Sequence, residues 1–166
     1  MRQPIFGTIR DQPAQNATKY NFACGGELWQ DLEARVQKIV STSGKISKLR
    51  VELNVAPGAG LSYQFTIMLN GAASSLTVTI SGTNTSASDV AHEVTVTGGD
   101  TLSIRCIPSA GLPALIYPRW SYIFTGNNTN ESIVLGGGGP VSVIPGAIRY
   151  ESIMVGGSGY VNNEIV

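Results

Sequence analysis

One histidine, two cysteines, four aspartates and seven glutamates are the side chains of this 166-residue chain from which acid-base, nucleophilic or metal chemistry could be built. His92 is the single imidazole, with Asp89, Glu93 and Asp100 near it in sequence. A nucleophilic triad or a zinc centre needs further groups at defined places, and one histidine with scattered acids specifies neither. The register of His92 with Val90, Val94 and Val96 predicts a histidine on the apolar side of a strand. Glycoside hydrolysis needs two carboxyl groups across a cleft, and no pair stands out. Cys24 and Cys106 show no zinc-ligand spacing. Cys106 extends the alternation of Leu102 and Ile104 and reads as a buried thiol, whereas Cys24, before Gly25-Gly26, reads as a more exposed one, with a disulfide between them left open. The run Gly136 to Gly139 lacks the Lys-Ser/Thr of a phosphate loop and reads as a turn or link. No catalytic, cofactor-binding or metal-binding residue is assigned, and no enzymatic activity or cofactor is expected.

Binding chemistry leaves fainter marks. Tyr63, Phe65, Trp120, Tyr122 and Phe124 could form a stacking platform, but their alternation assigns most of them to a packed face and no basic stripe accompanies them. Eleven basic and eleven acidic residues cancel, giving nucleic-acid phosphates and anionic lipids no obvious hold. The cancellation hides an asymmetry: residues 1–50 carry eight Lys/Arg against four Asp/Glu (+4), and the remaining 116 carry three against seven (−4). Such halves can attract neighbouring copies or meet within one fold. Four Asn-X-Ser/Thr triplets, beginning at Asn16, Asn84, Asn127 and Asn130, mark surface turns. The chain shows no N-terminal apolar leader and no run long enough to span a bilayer, so membrane insertion is not expected.

The elements that would position these groups are strands. Charged residues make up only 13% of the chain and glycine fills 20 positions, a composition that favours a globular strand-and-turn protein. Leu49, Val51, Leu53 and Val55 alternate with polar residues; Pro57-Gly58-Ala59-Gly60 then turns the chain into Leu61, Tyr63, Phe65, Ile67 and Leu69. Asn70-Gly71 tolerates positive backbone dihedrals and predicts a tight hairpin to Leu76, Val78 and Ile80. Further strands are predicted around Val90–Val96, Leu102–Cys106 and Arg119–Phe124, the last with Trp120, Tyr122 and Phe124 on one face. Residues 28–40 fit a strand by parity, although Trp29, Leu32, Val36 and Val40 would also line a helix face. No crossover helix is visible between residues 44 and 124, which disfavours a β-α-β enzyme. The expected fold is all-β, an antiparallel β-sandwich of jelly-roll type over residues 27–126, with an N-terminal arm over 1–26 and a Gly-rich strand-and-turn extension over 127–166. The extension carries a near-repeat, Glu131 to Gly137 and Glu151 to Gly157, and could add strands to another subunit.

The segments Gly44-Lys45-Ile46-Ser47-Lys48-Leu49-Arg50-Val51, Ala56-Pro57-Gly58-Ala59-Gly60, Phe65-Thr66-Ile67-Met68-Leu69-Asn70-Gly71 and Gly99-Asp100-Thr101-Leu102 resemble a β-sandwich module of bacteriophage and metagenomic virion surface proteins, such as head-decoration or tail-fibre components. The resemblance spans about residues 30–137 and rests on turn and strand residues. It implies a noncatalytic virion protein that decorates or stabilises the head or forms part of a fibre. A homo-oligomer, with a trimer as one arrangement, in contact with other virion structural proteins is expected with it, and the charge balance adds the expectation of no direct nucleic-acid binding. The arm, around Ile5 to Tyr20, is the expected docking element. The alternative is a receptor- or glycan-binding module at a fibre tip, for which Asn84, Asn127, Asn128 and Asn130 should lie on neighbouring loops.

Overall fold

The computed structural model describes residues 2–8, 11–26 and 28–128. Among these residues nine strands follow one another: β1 (Arg2–Thr8), β2 (Lys19–Phe22), β3 (Lys38–Ile39), β4 (Gly44–Leu53), β5 (Gly58–Leu69), β6 (Ala72–Gly82), β7 (Ser86–Val96), β8 (Thr101–Pro108) and β9 (Pro118–Gly126). They form two antiparallel sheets, one ordered β1-β9-β4-β7 and the other β2-β8-β5-β6, with β3 pairing β8 beyond β2. The core lies between them. Tyr63, Phe65 and Ile67 of β5, Leu76 and Ile80 of β6, Leu102 and Ile104 of β8, and Tyr122 and Phe124 of β9 are all buried. Period-2 burial of large side chains from both inner faces makes this a sandwich.

The hairpin is where the sequence places it. Asn70 and Gly71 adopt φ of 51° and 79°, the paired positive dihedrals of a two-residue turn that follows the strand twist. Leu69 and Ala72 face each other across it. Asp100 fastens the turn from the neighbouring loop, accepting from Asn70 Nδ2 at 2.8 Å, while Asn70 Oδ1 accepts from Thr101 N at 2.8 Å.

Three expectations change. The segment expected as an arm is part of the sandwich: Arg2–Thr8 pairs along the whole of β9, and Lys19–Phe22 pairs with β8. Ile5 is the one large apolar side chain of β1 that is buried, and Pro4 and Gly7 interrupt the pattern that would have revealed it. Proline is tolerated because β1 is an edge strand. The free side of that edge is met at Gly25, whose N–H donates to Phe6 O at 3.0 Å and whose carbonyl accepts from Thr8 N at 3.2 Å. Residues 28–40 form neither a long strand nor a helix face. A 3-10 turn occupies Glu33–Arg35 and a two-residue strand follows, so Trp29, Val36 and Val40 reach the core while Leu32 stays 58% exposed. In β4 the alternation changes parity. Lys48 takes a φ of 58° at a bulge between Ser47 and Leu49, which lets both Ile46 and Leu49 point inward. The strand ends at Leu53, leaving Val55 exposed. Among the described residues of 44–124 no crossover helix occurs. The Gly-rich extension beyond Asn128, its near-repeat and the Gly136 to Gly139 run lie outside the described residues.

Candidate functional site

The histidine leaves its expected place for a definable reason. Opposite the β4 bulge, Ser47 pairs Glu93 and Leu49 pairs Asp89, so residues 90–92 of β7 are thrown outward together. Val90 is 73% exposed and the His92 side chain 58% exposed, while Asp89 takes the inward position. Its carboxylate accepts from Ala91 N at 3.2 Å, His92 N at 3.1 Å and Thr77 N of β6 at 3.2 Å, and lies 2.9 Å from His92 Nδ1. Burial alone would raise the Asp89 pKa, but the hydrogen bonds from the His92 ring and these backbone groups outweigh it and hold the carboxyl below its ordinary value. The Asp89–His92 pair is therefore a clasp between the adjacent edges of the two sheets. No third chemical group completes it, and no cluster of three or more His, Cys, Asp or Glu able to hold a metal ion occurs among the described residues.

Both cysteines are buried and no disulfide joins them, so the exposed position expected for Cys24 is not found. Burial raises Cys24 to about 11, against a smaller opposing effect of the Lys38 charge, and raises Cys106 well above the ordinary thiol value. Neither is poised as a nucleophile. Trp120, Tyr122 and Phe124 face the core, as their alternation predicts, and Trp120 Nε1 donates to Ala23 O at 2.9 Å. The asparagines do not gather. Asn84 lies in the β6–β7 connection at the end where β4 finishes, whereas Asn127 and Asn128 follow β9 at the opposite end, and Asn130 lies outside the described residues. The loop cluster required for the asparagine form of a glycan site is absent among the described residues.

Two surfaces remain. The first is apolar and sits at the end of the sandwich where β4 passes to β5 and β8 passes to β9. The long connection between Pro108 and Pro118 is held against residues 54–63 by Ala114 N to Pro57 O at 2.9 Å, Tyr117 N to Asn54 Oδ1 at 2.6 Å and Tyr63 Oη to Ala114 O at 2.9 Å. On this buttressed scaffold Leu112 is 60% exposed, with Val55, Leu115 and Tyr117 exposed as well. Leu112 also holds a φ of 58°, a left-handed conformation that costs a branched residue about 1–2 kcal/mol.

The second surface is a depression of about 400 Å³ on the outer face of the β1-β9-β4-β7 sheet. Strand register builds it: Phe6, Ser121 and Arg50 stand in one cross-strand row, and Thr8, Arg119 and Glu52 in the next. Ser121 is short between two long neighbours, which leaves the hollow. Glu52 Oε1 accepts from Arg119 at 3.1 Å, and Lys45 pairs with Glu93 further along the same face. The Lys45–Glu93 pair thus joins the basic first fifty residues to the acidic remainder within one sheet. The residues of this depression carried no signal in the sequence, because they come from three strands far apart along the chain.

Among the described residues no helix is long and apolar enough to cross a membrane. No family model, curated protein or solved structure matches the chain.

Proposed function

We propose that this chain is a noncatalytic structural protein of a virion, a jelly-roll sandwich that decorates or stabilises a head or forms part of a fibre, and that it works as a homo-oligomer. The observation that carries the reading is the apolar loop end. An exposed leucine held at positive φ gains nothing for the fold, where glycine would be less strained and more soluble, and it gains a contact if another protein covers it. The orders β1-β9-β4-β7 and β2-β8-β5-β6, with most connections passing from one sheet to the other, support a pair of interleaved Greek keys. That architecture recurs in capsid and lectin domains. This part of the reading is a fold-level analogy, beside the resemblance of residues 30–137 to virion surface modules. Docking through the first residues is no longer part of it, since β1 and β2 are built into the sheets.

The test combines mass and location. Light scattering on the purified full chain is expected to give a discrete oligomer. Leu112→Gly, which relieves the strained dihedral, is expected to shift it toward monomer while leaving the melting temperature equal or higher. Mass spectrometry of particles purified from the source is expected to find the chain in many copies. A wild-type monomer at all concentrations, an unchanged oligomer in Leu112→Gly, or absence from particles overturns the reading.

A further inference from the structure

The depression on the outer sheet face has a chemistry of its own, independent of the assembly reading. Arg50 is exposed and has no acidic partner among the described residues, whereas Arg119 is held by Glu52 and Lys45 by Glu93. Across Ser121 from Arg50 stands Phe6, 65% exposed on an edge strand where a polar side chain would fit as well. The Cα atoms of Phe6 and Arg50 are two inter-strand spacings apart, about 10 Å. That span leaves room for one six-membered ring lying over Ser121, with a carboxylate turned toward Arg50. Thr8, Ser121 and the second Glu52 oxygen border the same hollow and can exchange hydrogen bonds with hydroxyl groups.

These groups set three demands on a ligand: an anionic group with two acceptors for a guanidinium fork, a flat apolar face for Phe6, and several hydroxyls for the polar rim. A simple anion meets the first alone, and a neutral hexose meets only the other two. We propose that the depression binds one acidic sugar residue, a hexuronic acid or a related carboxylated sugar, at the end or edge of a glycan. Arg50 takes the carboxylate, Phe6 packs on the ring face, and Glu52 serves twice, fixing the Arg119 guanidinium and accepting from a sugar hydroxyl. The site lies on rigid strands, so binding needs no loop closure.

Amide chemical shifts of the full chain, titrated in parallel with glucuronate, glucose and acetate, test this. Glucuronate is expected to produce saturable, millimolar shifts at Gly7, Gly25 and Ser121, with glucose and acetate at least about ten-fold weaker, the margin of one charge-assisted hydrogen-bond pair. Arg50→Gln is expected to weaken glucuronate binding by about ten-fold or more, and Phe6→Ala by several-fold. Lys45→Gln, in another row and paired with Glu93, should leave it unchanged. Arg50 and Phe6 are exposed, and unperturbed spectra elsewhere confirm that the variants fold. Equal binding of acetate would reduce the site to an anion patch, and equal binding of glucose would remove the role of Arg50. Either result overturns the proposal, as does the lack of saturable shifts or indifference to Arg50→Gln.

Discussion

Gly7→Ala is a one-carbon change whose cost can be worked from the coordinates. Gly7 faces Trp120 in the β1–β9 register, and a Cβ there would fall well inside 3.0 Å of three indole atoms, Cε2, Nε1 and Cζ2. Carbon atoms rest at about 3.5–4.0 Å, so the indole or the strand must give by more than about 0.5 Å. The indole has little freedom: it is 3% exposed, its Nε1 donates to Ala23 O at 2.9 Å, and the Trp29 ring lies 6.0 Å from it. Overpacking costs about 1–3 kcal/mol and a broken hydrogen bond adds about 1 kcal/mol, for a total of about 2–4 kcal/mol. With a urea slope of about 1–3 kcal/mol/M, the unfolding midpoint should fall by roughly 0.7–4 M, followed by tryptophan fluorescence. Gly98→Ala is the matched control, because its added carbon would meet Ser41 O at an ordinary 3.5 Å and its φ is not positive. It should shift stability by no more than about 0.5 kcal/mol. If the indole is the cause, Trp120→Leu should absorb most of the Gly7→Ala penalty in a double-mutant cycle. A Gly7→Ala midpoint equal to that of Gly98→Ala, or no coupling to Trp120, would refute the reasoning.

Two further predictions concern buried groups. Asp89→Ala leaves the Thr77, Ala91 and His92 amides without their acceptor and should cost about 1–3 kcal/mol by chemical denaturation at neutral pH. Because the Asp89 pKa is lowered on folding, the unfolded chain binds its proton first; the stabilisation is complete above 3.8 and is lost as pH falls through the folded value. The stability gap between wild type and Asp89→Ala should therefore narrow below that pH, and a gap that widens in acid would contradict the assignment. The thiols of Cys24 and Cys106, both raised by burial, should resist a disulfide reagent at pH 8 in the native protein and both react after unfolding, so rapid native labelling would show that either is accessible.

Much of the fold was legible because it rests on local rules. The residues from Leu61 to Ile80 state a hairpin twice, once in strict alternation and once in Asn70-Gly71, and both signals act over a few positions. Trp120, Tyr122 and Phe124 likewise announce a buried face. The misreadings arise where the two-residue period is broken by a long-range partner. His92 shares parity with Val94 and Val96, but the paired irregularity at Ser47–Leu49 and Asp89–Glu93 resets the count, and Asp89 wins the inner position by taking backbone amides that would otherwise be unsatisfied. Residues 2–8 show no alternation because an edge strand with Pro4 and Gly7 needs only Ile5 for anchorage and a bare backbone for Trp120 to lie against.

The sequence by itself determined an all-β, antiparallel sandwich with its principal hairpin and the aromatic face of its last described strand, since a period of two and turn dihedrals are properties of neighbouring residues. Only the tertiary structure decided the surfaces. Phe6, Arg50 and Ser121 become neighbours through the registers of β1 with β9 and of β9 with β4, and Leu112 and Val55 come to the same end of the sandwich because two connections are tied together by hydrogen bonds. Register and loop docking are set by the summed packing of the whole core, and no short stretch of chain carries that sum.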